Sequence, residues 1–258
     1  MVPLFFTLIF MDLLKSHVSI RRYSKVNISG TVLNDILESG IRASNTGNMQ
    51  LYSVIITRDQ SQKNRLAPLH FNQSMVVESD VLLTICFDFN RFIQWCEVNN
   101  TFTDFRSILW LLNGFIDSSI LAQSICIAAE NVGVGICYLG TTLYNAKEIS
   151  EILNLPLGVI PVTSITLGYP EENPEKTDRL SLDGVIHQET YKDYSDVRIN
   201  ELYSIKEGLN SSKSFVLQNA KENLAQVYAE VRYKTSDSIY FSTKLMDFLS
   251  EQGFNFDL

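Results

Sequence analysis

Residues 105–135 read FRSILWLLNGFIDSSILAQSICIAAENVGVG. Within it, Phe105–Val132 is the longest periodic segment of the chain. It is apolar nearly all round, and its charges are Arg106, Asp117 and Glu130. A helix with so little polar face runs through a core or an oligomer interface. The small residues Ser118, Ser119, Ala122 and Ser124 permit close approach of another element. Gly133 is a natural stop, because the position after a helix favours the left-handed backbone that glycine adopts freely. Directly behind it, Gly135–Leu139 reads as a short strand ending in Gly140-Thr141-Thr142.

Outward from this segment, strands and helices alternate. Upstream, 81–87 (VLLTICF) is a continuous apolar run, the pattern of a central strand covered on both faces. Leu51–Thr57 is rich in β-branched and aromatic residues and reads as a strand. Ser29–Arg42 has apolar residues at helical spacing, with Ser29 or Thr31 able to cap it. Gln60–Ala67 is a short helix candidate. Downstream, Lys147–Leu153 reads as helix and Pro161–Leu167 as a further buried strand. Residues 171–178 are polar and contain Pro174, so they form an irregular surface loop. From Ser195 onward the chain is polar helix with weak apolar stripes, which suits an arm around a core or a second subunit. The order lacks regular βα units, so an α+β class is preferred over a doubly wound sheet. The expected division is an upstream extension at 1–10, a core at 11–194 and a helical extension at 195–258.

Composition narrows the function. The 258 residues carry 21 Lys+Arg and 29 Asp+Glu, a net charge of −8. That excludes a general nucleic-acid binder, whose footprint is basic. With 45% hydrophobic and 19% charged residues, the chain is globular rather than disordered. Residues 2–10 are apolar but far shorter than the roughly 20 residues of a membrane-spanning helix. They are read as an upstream extension before Met11, with a membrane-surface tag as the rival reading. Cys86, Cys96, Cys126 and Cys137 lack C-x-x-C spacing, and His17, His70 and His187 show no ligand spacing with them. Reduced thiols, no metal site and a cytoplasmic location are therefore expected.

Four polar clusters could carry chemistry, and each has an ordinary alternative. In His17-Val18-Ser19-Ile20-Arg21-Arg22-Tyr23, alternation puts His17, Ser19 and Arg21 on one side of an extended chain. Hydroxyl, imidazole and guanidinium together suit a phosphate; a solvated basic turn reads the same way. In 44–50 (SNTGNMQ), Asn48 and Gln50 could face one ligand and offer amide donors and acceptors, or they could serve turn chemistry alone. Gly140, in Tyr138-Leu139-Gly140-Thr141, would let a flat ligand approach the backbone, or would simply end a strand. Lys176-Thr177-Asp178-Arg179 is a loop with two cations, or a solvated surface loop. Phosphate-loop, dinucleotide-binding and nucleophile-elbow motifs are absent from the sequence.

In order, these clusters resemble the FMN-dependent nitroreductase family, in its branch of oxygen-insensitive NADPH nitroreductases and flavin reductases. The resemblance spans Leu13 to Tyr191. It includes His17-x-Ser19-x-Arg21-x-Tyr23, the Ser44–Gln50 loop, Gln73, Leu121-Ala122-Gln123 through Gly135, Leu153-Asn154-Leu155-Pro156, Leu167-Gly168-Tyr169-Pro170 and Arg179-Leu180. It implies a nitroreductase-like α+β fold, with a mostly antiparallel central sheet flanked by helices. It also implies a homodimer with FMN at the interface and the C-terminal helices around the second copy. His17, Val18, Ser19, Lys176, Thr177 and Arg179 would then lie near the FMN phosphate, and Arg21 near flavin N1 and the C2 carbonyl. Asn45, Asn48, Gln50 and Gln73 would bind ribityl or ring-edge atoms. Tyr138, Leu139, Gly140 and Thr141 would lie against the ring. No side chain is required as nucleophile; Arg21 gives electrostatic support while FMN carries the electrons.

The implied activity is ping-pong transfer from NADPH or NADH to a nitroaromatic, quinone or flavin acceptor. Two positions depart from the family pattern: Thr177 replaces the lysine of a Lys-x-Arg pair, and Thr141 replaces a second glycine. Asn210-Ser211-Ser212-Lys213 is a thin substitute for the basic loop that holds the NADPH 2′-phosphate in some relatives. A flavin-binding redox sensor or interaction protein with little turnover is the alternative these departures motivate.

Overall fold

The computed structural model describes residues 11–104, 106–254 and 256. The proposed extension at 1–10 lies outside the described residues. Four strands, β1 (Tyr52–Thr57), β2 (Val81–Asp88), β3 (Gly135–Leu139) and β4 (Val159–Gly168), form one antiparallel sheet in the order β1-β2-β4-β3. The α+β class is therefore observed. Every residue of β2 is buried. Alternation explains its unbroken apolar run. Val81, Leu83 and Ile85 join one core cluster, and Leu82 joins another on the opposite face. Where Pro161, which has no N–H to give, stands opposite Cys86, the β2–β4 register shifts.

The helices flanking this sheet are α1 (Gly30–Gly40), α2 (Gln60–Leu66), α3 (Asn90–Val98), α4 (Ile108–Asn131) and α5 (Ala146–Leu153). Ser29 caps α1 by accepting from the Val32 N–H. The central α4 buries Leu121, Ala122, Ile125, Cys126 and Ala129 with β2, β3 and β4 in one cluster. A Cβ on Gly114 would stand 2.1 Å from Phe87 Cδ2, so glycine is required where α4 crosses β2. The small residues divide between two faces. Ser118 and Ala122 are fully buried, while Ser119 is exposed, Ser124 is half-buried, and both donate to carbonyls one turn back. By length and composition α4 could also cross a membrane. Gly133, at φ +79°, ends it as expected.

One element was not read from the sequence. Residues 90–98, to which the sequence reading assigned no element, form α3, which buries Cys96 and leaves Trp95 and Val98 exposed. The contacts group the chain into two compact units. The first compact unit ends at Glu175 but takes back the residues from Lys244 onward; the second is Lys176–Thr243. The returning segment lies in α8 (Thr235–Glu251) and beyond, where Phe248, Leu249 and Phe254 enter the core with Phe87 and Phe89. Weak apolar stripes concealed these three anchors. Within the second unit, α6 (Asp196–Gly208) is capped by Ser195, its Arg198 pairs with Asp183 and Glu201, and α7 (Asn210–Gln218) follows.

Candidate functional site

The His17–Tyr23 segment runs extended beside β3 and β4. The Ile20 N–H donates to Ile136 O at 2.8 Å, and the Ser24 N–H to Tyr169 O at 2.9 Å. Tyr23 is the anchor. Its hydroxyl donates to Ile20 O at 2.7 Å and meets Thr166 Oγ1 at 2.7 Å. Burial pushes its phenol pKa up, so it stays a neutral donor. Ile20 is buried and Val18 packs beside it in the core. Alternation then sends His17, Ser19 and Arg21 the other way. Ser19 and Arg21 reach the thiol of Cys137 on β3 and pull its pKa down against the larger upward push of burial.

Glu172 shapes this segment. Its carboxylate accepts the Arg21 and Arg22 N–H groups and the Arg22 Nε–H. Those donors, the Arg21 N–H foremost, hold it below the usual carboxylate range. Arg22 thus has an anionic partner, whereas Arg21 forms no ion pair among the described residues. His17 Nδ1 lies 2.5 Å from Glu130 at the end of α4. A cavity of about 320 Å³ opens there, lined by Ser16, His17, Val18, Glu130 and Glu172 among others.

Following β3 toward its end leads from Cys137 to the 138–141 cluster. Leu139 is buried, Tyr138 and Gly140 are exposed, and a Cβ on Gly140 would meet nothing within 4 Å. The open backbone at Gly140 leaves room for a flat ligand. The threonine at 141 turns inward, where its Oγ1 lies 2.9 Å from His70 Nδ1. Gln73 stands close by, its Nε2 donating to His70 O at 3.0 Å. Thus Ser19, Arg21, Gln73 and residues 138–141 gather along one strand and its exit.

The amide loop sits elsewhere. The Gln50 N–H donates to Asn45 Oδ1 at 3.1 Å, and Gln50 Nε2 reaches Asn48 Oδ1 at 3.4 Å. Asn48 (φ 55°) and Gln50 (φ 53°) occupy the left-handed region, natural for asparagine and strained for glutamine. Two residues not singled out from sequence hold the loop. Asp117, buried in α4, accepts the Thr46 N–H at 3.0 and 2.9 Å and the Thr46 hydroxyl at 3.0 Å. Arg91 donates to Gln50 O and Tyr52 O. Arg91 and Gln50 also border a cavity of about 300 Å³ with Met49, Phe92 and Trp95. Asp117 had a sequence signal, as a charge inside an apolar helix. Among the described residues, no hydrogen bond or ion pair joins this loop to 17–23 or 138–141.

Lys176, Thr177 and Arg179 belong to the second unit. Arg179 Nη1 donates to Thr177 Oγ1 at 2.6 Å and to Asp178 O at 2.9 Å. Thr177 therefore positions the arginine of its own loop, while Asp178 is held by Lys206 at 2.7 Å. The second unit also has a cavity of about 900 Å³, lined by Tyr203, Lys206, Leu224 and Tyr233 among others and by none of the expected site residues. Cys86, Cys96, Cys126 and Cys137 are free thiols, and burial pushes Cys86 and Cys126 up to about 12.

The antiparallel α+β sheet carries a guanidinium without an ion pair beside β3 and an open glycine at the exit of that strand. Known proteins identify the class further, although no family model matches the chain. It is 34% identical over 72% of its length to an NADPH-dependent oxidoreductase of Staphylococcus saprophyticus, covering 75% of that protein. It is 30% identical to the NADPH-flavin oxidoreductase of Vibrio harveyi, over 71% of this chain and 75% of that one. It is 29% identical to an oxygen-insensitive NADPH nitroreductase of Salmonella typhimurium, over 70% and 74%. Among solved structures, an oxidoreductase-like protein of Bacteroides fragilis superposes with a TM-score of 0.93 at 46% identity, covering 95% of this chain and 99% of its own. The NADPH:FMN oxidoreductase of Vibrio harveyi, solved with NAD+, superposes at 0.72 with 27% identity, covering 85% and 94%. The chain belongs to the family of NADPH nitroreductases and flavin oxidoreductases.

Proposed function

We propose that this protein is an FMN-dependent NAD(P)H oxidoreductase that reduces small nitroaromatic, quinone or flavin acceptors. The observation that carries this reading is the placement of Arg21, which has no ion pair among the described residues, with Ser19 against the strand that leads to the open Gly140. Family members that act with NADPH and flavin support it. Bound FMN would supply the two-electron redox chemistry. The residues present fit it. Ser19 and His17 offer donors for a phosphate. Arg21 offers a fixed positive charge where negative charge collects on the ring edge. Asn45, Asn48, Gln50 and Gln73 offer amide donors and acceptors, and residues 138–141 offer backbone against a ring.

A homodimer completes this reading. Leu109, Leu112, Ile116 and Ile120 are exposed at 62%, 52%, 56% and 38%, on one face of α4 at spacings of three and four. Such a stripe suits a second copy of the same helix. In this reading one copy's amide loop, tied to α4 through Asp117, and the other copy's strand exit contribute to one site. The free buried thiols suit a cytoplasmic location.

The visible spectrum of the purified protein tests the reading. A protein that stays colourless after incubation with FMN refutes it. Anaerobic addition of NADPH and NADH separates an enzyme from the alternative sensor: rapid bleaching of bound flavin supports turnover, and a stable yellow colour with both donors supports the sensor.

A further inference from the structure

His70 belongs to none of the clusters that the resemblance assigns, yet it touches two of them. It is fully buried at the end of a short 3₁₀ turn, Ala67–His70. The chain then reverses sharply: Phe71 (φ 54°) and Asn72 (φ 53°) are both left-handed, a rare state for a bulky aromatic residue. The reversal returns Gln73 to His70, whose carbonyl accepts both the Gln73 backbone N–H at 3.2 Å and its Nε2 at 3.0 Å. The imidazole points the other way, and its Nδ1 meets Thr141 Oγ1 at 2.9 Å. Its Nε2 is buried and has no partner among the described residues. The ring therefore spends its one hydrogen bond on Thr141.

Burial lowers the His70 pKa to about 4, so the ring is neutral near pH 7 and the bond is between neutral groups. A second bond braces the same junction one residue away: Asn145 Nδ2 donates to Leu69 O at 2.6 Å. Asn145 is in turn held by Lys244 Nζ at 2.8 Å on its Oδ1. The turn after β3 is thus clipped to the 69–73 knuckle at both ends.

We propose that His70 is a positioning residue for the flavin. Its carbonyl sets the Gln73 amide, and its ring holds the Thr141 hydroxyl, so that the Gly140–Thr141 backbone is fixed where the ring would lie. The inference rests on the FMN reading above. It also assigns a purpose to Thr141 at a position where the family pattern has glycine: the hydroxyl replaces backbone freedom with a clip.

The test uses the full-length protein with FMN. Thr141→Val removes the hydroxyl at nearly constant shape on a half-exposed residue, so folding is preserved. His70→Leu removes the ring nitrogen. His70→Asn and Thr141→Ser keep a polar atom near Nδ1 and a hydroxyl at 141, respectively. FMN dissociation constants and the midpoint potential of bound flavin are measured for each, and for the Leu/Val double variant. The expected result is a fold-change of about 5–10 in affinity for Thr141→Val and His70→Leu, the range of one net hydrogen bond, with a shifted potential. The double variant should be no worse than either single, since both remove one bond, and His70→Asn and Thr141→Ser should stay within about twofold of the parent. Unchanged affinity and potential in Thr141→Val would overturn the inference while leaving the FMN reading intact. Additive losses in the double variant would overturn it as well. A parent protein that binds no FMN would overturn both.

Discussion

Asp117 is a carboxylate buried in the middle of an apolar helix, and its three accepted contacts all come from Thr46. The Thr46 N–H is shared between the two oxygens, so it counts as one bond; the hydroxyl supplies a second. Hydrogen bonds to charged groups contribute about 1.5–3 kcal/mol each. Asp117→Ala removes both, but it also relieves the desolvation of the carboxylate. The low end of the range, about 3 kcal/mol in total, is therefore expected. Asp117→Asn keeps one acceptor oxygen for the Thr46 N–H and replaces the other with an amide donor. Its expected cost is about 1.5 kcal/mol, half as large.

Where that cost appears depends on how the loop opens. If loop and core unfold together, Asp117→Ala lowers Tm by roughly 6–12 °C, since 1 kcal/mol is about 2–4 °C for a chain of this size. If the loop opens alone, Tm holds. Then the Thr46 amide exchanges faster, and FMN binding weakens about tenfold for Asp117→Asn, because 1.4 kcal/mol is a factor of ten. Thermal melts at fixed protein concentration, hydrogen exchange at Thr46 and FMN titration read these outcomes. A Tm within 1 °C, unchanged exchange and FMN affinity within twofold for both variants would refute the anchoring role of Asp117. The left-handed loop would then be held by Arg91 and by its own Asn45–Gln50 bond.

Arg21→Ala removes the unpaired cation, so reduced, anionic flavin loses stabilisation; its midpoint potential is expected to fall by about 30 mV, equivalent to 1.4 kcal/mol for a two-electron couple. An unchanged potential in a spectroelectrochemical titration would place Arg21 away from the ring. Ile116→Asp puts a charge in the exposed stripe of α4 and should yield monomers by sedimentation, with weakened FMN binding; a dimer that still binds FMN tightly would exclude α4 as the interface. The buried His70 makes stability depend on pH. Its folded pKa, about 4, lies below the ordinary 6.5, so the unfolded chain binds the extra proton. The contribution is complete above pH 6.5 and is lost as pH falls toward 4, the loss amounting to roughly 2 kcal/mol at pH 5. Urea midpoints at pH 7 and pH 5 for the parent and His70→Asn should show the smaller pH effect in the variant, and equal effects would count against the assignment.

Much of the fold could be read from periodicity because single interactions dominate there. The run at 81–87 is apolar at every step but Thr84 since both faces of β2 meet core, and alternation alone cannot hide it. Ser29 announces α1 because a cap is a local bond. The amphipathic α3 was missed because only Cys96 is fully buried, and Trp95 and Val98 place apolar residues on its outer side. The return of Phe248, Leu249 and Phe254 to the core was missed for a different reason. Three contacts distant in sequence leave no periodic trace in a polar helix.

The site shows the same division. Side chains that would meet a ligand lie in short motifs and were visible: Arg21, Gln73 and the glycine at 140. The groups that hold those motifs were not, because each acts from a distant segment: Glu172 on Arg21, Asp117 on Thr46, Arg91 on Gln50 and His70 on Thr141. Asp117 shows why such groups persist despite their cost. An apolar helix can bury itself in a core, or against a second copy, without any carboxylate, and a buried charge is expensive unless fully bonded. Both of its bonds go to one loop residue, so the charge couples the central helix to the amide loop. The same helix presents its apolar stripe on the surface. If two copies pair through that stripe, Asp117 fixes each amide loop relative to the pairing axis. The geometry of the completed site would then follow from the interface rather than from either chain alone.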